Sequence, residues 1–285
     1  MARFDPAWLD AQYDNRARVA DHPQILERWA KASALAREGL SRRLDVPYGR
    51  GPNEALDIFP AARAGAPVLV FIHGGWWRAL DKRDLSFIAP TFVHAGAMVV
   101  VPNYALCPAV SIEAIALQMA QALAWTWRHA ALYGGDPQRI VVAGHSAGAH
   151  LAAMLLCCDW PAVAPELPAD MVRSALAISG VYELEPLRHA PFLQADLRLT
   201  PASARKLSPA LFPAPQGRLY AAAGADESWE FLRQNALIQQ AWGREAVPVC
   251  ETVPGAHHFS VLHDLVDPKS RLNGMALELL GTAGA

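Results

Sequence analysis

A serine at position 146 sits in GHSAGAH, between Gly144 and Gly148, directly after the apolar run RIVVA and just before the apolar stretch LAAMLL. This is a G-x-S-x-G pattern at a strand-to-helix turn. A chain that passes from strand to helix within one residue forces that residue into a cramped backbone conformation, and bulky side chains at the flanking positions would collide. Such a turn lifts the hydroxyl off the sheet edge and aims the first amides of the following helix at whatever the serine attacks. The chemistry on offer is nucleophilic acyl transfer. It requires a base for the serine proton, an acid to orient the base, and donors for the developing oxyanion.

Each requirement has candidates. The segment HGGWW, residues 73–77, follows the apolar run VLVFI, and its paired glycines let the main chain approach a ligand and present bare N–H groups. Gly74 and Gly75 are therefore expected oxyanion donors, together with the amide of Ala147 immediately after the serine. A histidine pair, His257 and His258, lies in PGAHHFSV after the last apolar run, VPVCETV. We take His258, next to Phe259, as the base and His257 as a surface or supporting residue. The acid belongs between serine and histidine in chain order, where ADESWEF supplies both Asp226 and Glu227. His73, His145 and His150 crowd the same region without H-E-x-x-H or similar ligand spacing, so neither a metal nor a cofactor is expected.

The elements that would position these residues are visible as short apolar runs at 55–59, 68–73, 98–104, 139–144, 175–180, 218–224 and 247–253. Several are unbroken rather than alternating, which marks strands covered on both faces and hence parallel. Helical segments at 84–95, 111–133, 147–158, 229–243 and 270–281 separate them. The alternation predicts a mostly parallel, doubly wound α/β sheet of about eight strands with helices on both faces. Ligands bind such sheets beyond the carboxyl ends of the strands, which is where every candidate above falls. Trp76, Trp77, Tyr104, Tyr182 and Trp229 also follow strands and are expected to wall a substrate pocket. Residues 1–40 read as a helical arm or cap and residues 41–285 as the main domain, with irregular stretches at 160–168 and 186–215.

The 285 residues are 53% hydrophobic and 18% charged, enough for a large core and too apolar for disorder. A net charge of -2, with no basic run beyond Arg42 and Arg43, argues against nucleic acid as a partner. The N-terminal stretch lacks the apolar region of a signal peptide, and no run approaches membrane-spanning length. Four cysteines without C-x-x-C spacing suggest a reducing cytoplasm. The expected partners are a small-molecule substrate and, at most, a second copy in a homodimer.

In order along residues 68–265, HGGWW, GHSAGAH, SGVYELEPL (179–187), GADESWEFLRQN and PGAHHFSV resemble the arylformamidase (kynurenine formamidase) group of α/β-hydrolases, related to hormone-sensitive-lipase-like esterases. The resemblance implies the α/β-hydrolase fold and a cofactor-free serine hydrolase that converts N-formyl-L-kynurenine to formate and L-kynurenine. The alternative is a carboxylesterase acting on short-chain esters. In the family motif H-G-G-x-W, Trp76 takes the variable place and Trp77 the fixed one. The family acid stands three residues before an E-F pair, here Glu230 and Phe231, which implies Glu227. The family histidine precedes Phe, which implies His258; His257 replaces an aspartate often found there. An aryl formamide has a tiny acyl group and a large leaving group, so its enzyme is expected to have a cramped acyl side and a roomy aromatic side.

Overall fold

All seven residues of Ala66–Ile72 and all five of Met98–Pro102 are buried, so these strands can exist only where both sheet faces are covered. The computed structural model, which describes residues 4–282, meets that demand with one eight-stranded sheet. Its strands are β1 (Arg43–Pro47), β2 (Ala55–Phe59), β3 (Ala66–Ile72), β4 (Met98–Pro102), β5 (Gly135–His145), β6 (Ser174–Ile178), β7 (Arg218–Gly224) and β8 (Val249–Val253). The spatial order is β1-β2-β4-β3-β5-β6-β7-β8. β1 and β2 run antiparallel to their neighbours, and β4 through β8 are parallel.

Successive strand residues point to opposite faces, which divides the core in two. Val68, Val70 and Ile72 join one cluster, beneath α5 (Ile112–His129), α6 (Ala147–Leu156) and α10 (Trp229–Ala246). Leu69 and Phe71 join the other, beneath α3 (His22–Gly39), α4 (Ala89–His94), α11 (Val261–Val266) and α12 (Arg271–Leu280). Serine side chains start three of these helices. Ser111, Ser228 and Ser270 accept from the amides of Ala114, Phe231 and Asn273, pairing donors that the helices leave free. The irregular stretches contain three short helices, α7 (Trp160–Val163), α8 (Pro191–Leu197) and α9 (Pro201–Lys206).

Ahead of the sheet come α1 (Pro6–Tyr13), α2 (Asn15–Arg18) and α3, with α1 against α8 and α10, and α3 against the turns at 82–88. Two expectations differ from the structure. The segment 84–95 is not one helix but two 3-10 turns followed by α4, because Pro90 fits only the first turn of a helix. β1 also carries no apolar signal: RLDVP is an exposed edge strand, and its proline is tolerated only because one side of the strand is unpaired. Among the described residues, no helix is long and apolar enough to cross a membrane.

Candidate active site

The parallel strands end side by side, and the chain leaves each end into a residue with reactive or supporting chemistry. Ser146 follows β5 directly, and its amide still bonds to the Ile178 carbonyl of β6 at 2.8 Å. Its backbone is strained, with φ 57° and ψ -119°, because it must reverse from strand to the helix α6 without an intervening loop. The reversal brings Gly148 against the end of β3, where an added methyl carbon would stand 2.1 Å from the Ile72 carbonyl oxygen. Only glycine fits there. The first amides of α6, beginning with Ala147, have no carbonyl partner within the helix and lie beside the serine.

The HGGWW loop approaches from β3. An added methyl at Gly74 would lie 3.0 Å from the Ser146 Cβ and 2.8 Å from the His145 carbonyl oxygen, so the main chain of the loop comes as near the serine as glycine allows. Gly75 borders the site cavity, whereas Gly74 and Ala147 are buried behind it. Tyr104 fixes the loop by donating from its hydroxyl to the carbonyls of His73 (3.0 Å) and Gly74 (3.1 Å), and its ring stacks on His73 at 4.1 Å. His73 in turn meets Asn103 Oδ1 at 3.0 Å. Burial holds His73 below the usual histidine range, in its neutral form, and pushes the Tyr104 phenol well above its usual value.

Beyond β7, Glu227 is the acid that meets the histidine. Its Oε2 accepts from His258 Nδ1 at 2.7 Å, with both side chains almost wholly buried. The other oxygen, Oε1, accepts from the Gly224 amide (2.7 Å) and from Ser179 Oγ (2.5 Å). Asp226 is exposed and turned away. With Nδ1 donating to the carboxylate, Nε2 of His258 is left as the acceptor, which is the tautomer a general base needs. His145 steadies the loop: its Nε2 donates to the His258 carbonyl at 2.7 Å, and its ring lies 4.6 Å from that of His258. Burial, and then the neighbouring His258, keep His145 well below the usual histidine range. His257 is half-buried, and its Nδ1 accepts from the amides of Phe259 and Ser260, closing the turn.

Ser146 and His258 face one cavity of about 60 Å³, bounded by Trp29, Gly75, Trp76, Arg78, Phe192, Phe259 and the 14–16 segment. Ligand sites for drug-sized molecules run to roughly 300–1,000 Å³, so the enclosed part is very small. Of the aromatics expected to wall it, Trp76 does. Trp77, Tyr104 and Tyr182 do not: all three are fully buried in the core beneath. Tyr104 serves the loop instead, and Trp229 is 61% exposed on the outside of α10. They follow strands as expected, but Trp76 and Trp77 stand in a turn with positive φ (54° and 55°), where the strand's direction no longer governs which way a side chain points. The walls actually come from Trp29 on α3, Phe192 on α8 and the α1–α2 junction, which no motif marks. Ser179 was visible only as the first residue of SGVYELEPL. Among the described residues no group of histidine, cysteine or carboxylate side chains could hold a metal.

Comparison with known proteins adds to this geometry. The family model described as BD-FAE matches residues 56–159. The kynurenine formamidase of Salmo salar is 30% identical over 300 residues, covering 96% of this chain and 98% of that protein. That of Danio rerio is 29% identical, covering 86% and 84%. Among solved structures, a candidate thioesterase from Silicibacter sp. superposes with a TM-score of 0.83 at 30% identity, covering 97% of this chain and 99% of that one. A hyperthermophilic esterase from Pyrobaculum calidifontis shares the fold, with a TM-score of 0.72 at 18% identity and coverage of 92% and 93%.

Proposed function

Because this chain belongs to the kynurenine formamidase family of α/β-hydrolases, we propose that it hydrolyses N-formyl-L-kynurenine to formate and L-kynurenine through an acyl-enzyme on Ser146. The observation that carries the reading is the pairing of Glu227 with His258 Nδ1, with His258 and Ser146 lining the same confined cavity.

In this mechanism His258 Nε2 takes the serine proton as Oγ bonds to the formyl carbon, and Glu227 stabilises the imidazolium that forms. The oxyanion is met by the amides of Gly75 and Ala147, with Gly74 bringing the loop close enough. Collapse of the tetrahedral species breaks the C–N bond, and the histidine proton passes to the departing arylamine. Water, deprotonated by the same histidine, then attacks the formyl ester and releases formate and the free serine. No step calls for a cofactor. The small cavity supports a one-carbon acyl group. It fits short-chain esters equally well, and esterase activity is the second reading.

The partner on this view is a small molecule, and four free cysteines support work in a reducing cytoplasm. The test is the kinetics of purified protein on N-formylkynurenine and on p-nitrophenyl acetate. Expected are turnover of the formamide with kcat/KM above that of the ester, and loss of both activities in Ser146→Ala. Ester hydrolysis without formamide hydrolysis would leave the carboxylesterase reading in its place.

A further inference from the structure

The groups described so far act on the formyl carbon, but the leaving group of the proposed substrate carries an α-amino acid. Three successive residues on the cavity wall, Asp14, Asn15 and Arg16, have the chemistry to recognise one. They form the junction of α1 and α2. Asn15 is only 4% exposed, and its side-chain Nδ2 has no hydrogen-bond partner among the described residues. A buried amide nitrogen left unpaired is costly, and on a cavity wall an acceptor carried by a ligand would relieve that cost. Arg16 is exposed at the mouth and makes no ion pair among the described residues, whereas Arg78, the other cation on the wall, is already committed to Asp196 and the Phe192 carbonyl.

The junction is held in place from both sides. Tyr13, just before it, is fully buried, donates to Glu230 of α10 and accepts from Gln234 at 3.1 Å. Its ring stands edge-on to Trp76 and to Phe231, which itself lies 4.6 Å from His258. Just after it, Asp14 Oδ1 accepts from the amides of Arg16 and Ala17 at 3.1 Å each and so fixes the turn. A polar tripeptide is thereby presented rigidly beside the serine and histidine. Among the described residues, one member is a buried donor without an acceptor, and another is a cation without an ion pair.

Resting on the formamidase reading, we propose that the Asp14–Asn15–Arg16 turn binds the amino-acid end of the leaving group, with Asn15 Nδ2 and the Arg16 guanidinium on its carboxylate and the Asp14 carboxylate near its ammonium. The test compares N-formylkynurenine with formanilide, which has the same aryl formamide bond and no amino acid, in wild type, Asn15→Ala and Arg16→Ala. A hydrogen bond to a charged group contributes about 1.5–3 kcal/mol, so each substitution should lower the preference for N-formylkynurenine over formanilide roughly ten- to a hundredfold, through KM rather than kcat. Arg16→Ala changes an exposed side chain and guards against a folding failure at Asn15. Equal losses on both substrates, or none on either, in a wild-type enzyme that turns over N-formylkynurenine would overturn the inference alone. Failure of wild type on N-formylkynurenine with formanilide or ester turnover intact would overturn the formamidase reading itself.

Discussion

Replacing Glu227 with glutamine tests the acid–histidine pair without changing its shape, and the surroundings dictate which way the new amide turns. The Oε1 side faces two donors, the Gly224 amide and the Ser179 hydroxyl, and the Oε2 side faces His258 Nδ1. Ser179 can rotate its proton away, but the Gly224 N–H is fixed by the backbone. Turning the amide NH2 toward Gly224 would leave two buried donors face to face, at a cost of about 1–3 kcal/mol. The oxygen therefore stays with Gly224, and the NH2 group points at Nδ1. That nitrogen must then accept, the ring proton moves to Nε2, and the base can no longer take the serine proton.

The unproductive tautomer is favoured by those 1–3 kcal/mol, and loss of the carboxylate charge beside the imidazolium removes roughly 1.5–3 kcal/mol more from the transition state. Together about 2.5–6 kcal/mol corresponds to a fall in kcat of roughly 10²- to 10⁴-fold. The assay is kcat on any substrate that wild type turns over, with thermal melting alongside to show that the variant is folded. Ser179→Ala removes one neutral donor and keeps the acid, so its loss should stay within about tenfold, the equivalent of a single hydrogen bond. A Glu227→Gln enzyme with kcat within about tenfold of wild type would refute the tautomer argument.

Two further outcomes follow from the geometry. Adding six methylenes between an acetyl and an octanoyl ester overfills the narrow cavity at a cost of about 1–3 kcal/mol, that of an overpacked core, so kcat/KM should fall roughly 5- to 150-fold; comparable rates on the two p-nitrophenyl esters would contradict the confined acyl site. The second concerns acid stability. His150 is fully buried, its Nε2 donates to the Leu207 carbonyl at 2.8 Å, its Nδ1 has no partner among the described residues, and burial lowers its pKa to about 4 from 6.5. A depressed base means that the unfolded chain takes up a proton which the folded one refuses. The associated stability is present in full above pH 6.5 and is lost as the pH falls toward 4. The loss amounts to roughly 3 kcal/mol. Denaturant melts at pH 7 and pH 4 should therefore show a smaller acid loss in His150→Gln than in wild type, and parallel losses would refute it.

The division between what the sequence revealed and what it concealed has a physical cause. Ser146, Glu227 and His258 were legible because a parallel sheet brings the ends of its strands together whatever lies between them. Naming the residue after each apolar run thus names neighbours in space. Asp226 against Glu227 was open from the residues themselves, and the structure separates them by burial: one is in solvent, the other almost wholly enclosed. The aromatics were misplaced because proximity to a strand end does not say which way a ring points. Trp76 and Trp77 are adjacent in sequence, yet one lines the cavity and the other is buried under it.

Asn15 and Phe192 were not legible for a different reason, and Trp29 was legible only as part of the predicted helical arm or cap. Their positions depend on how α2, α3 and α8 dock across the finished sheet, a matter of long-range packing that leaves no local pattern. On the proposed reading, bond cleavage and substrate recognition fall to separate parts of the molecule. The reacting groups stand on strand ends locked by the ladder and by short buried hydrogen bonds, so displacing one means disturbing the sheet. The groups that would read the leaving group stand on short helices attached through side chains such as Tyr13. Substitutions in those helices can alter which formamide or ester is accepted while leaving the acyl-transfer machinery in register. That is the physical basis on which formamidases and esterases can share one fold, and it is why the contrast between N-formylkynurenine and formanilide interrogates the arm rather than the triad.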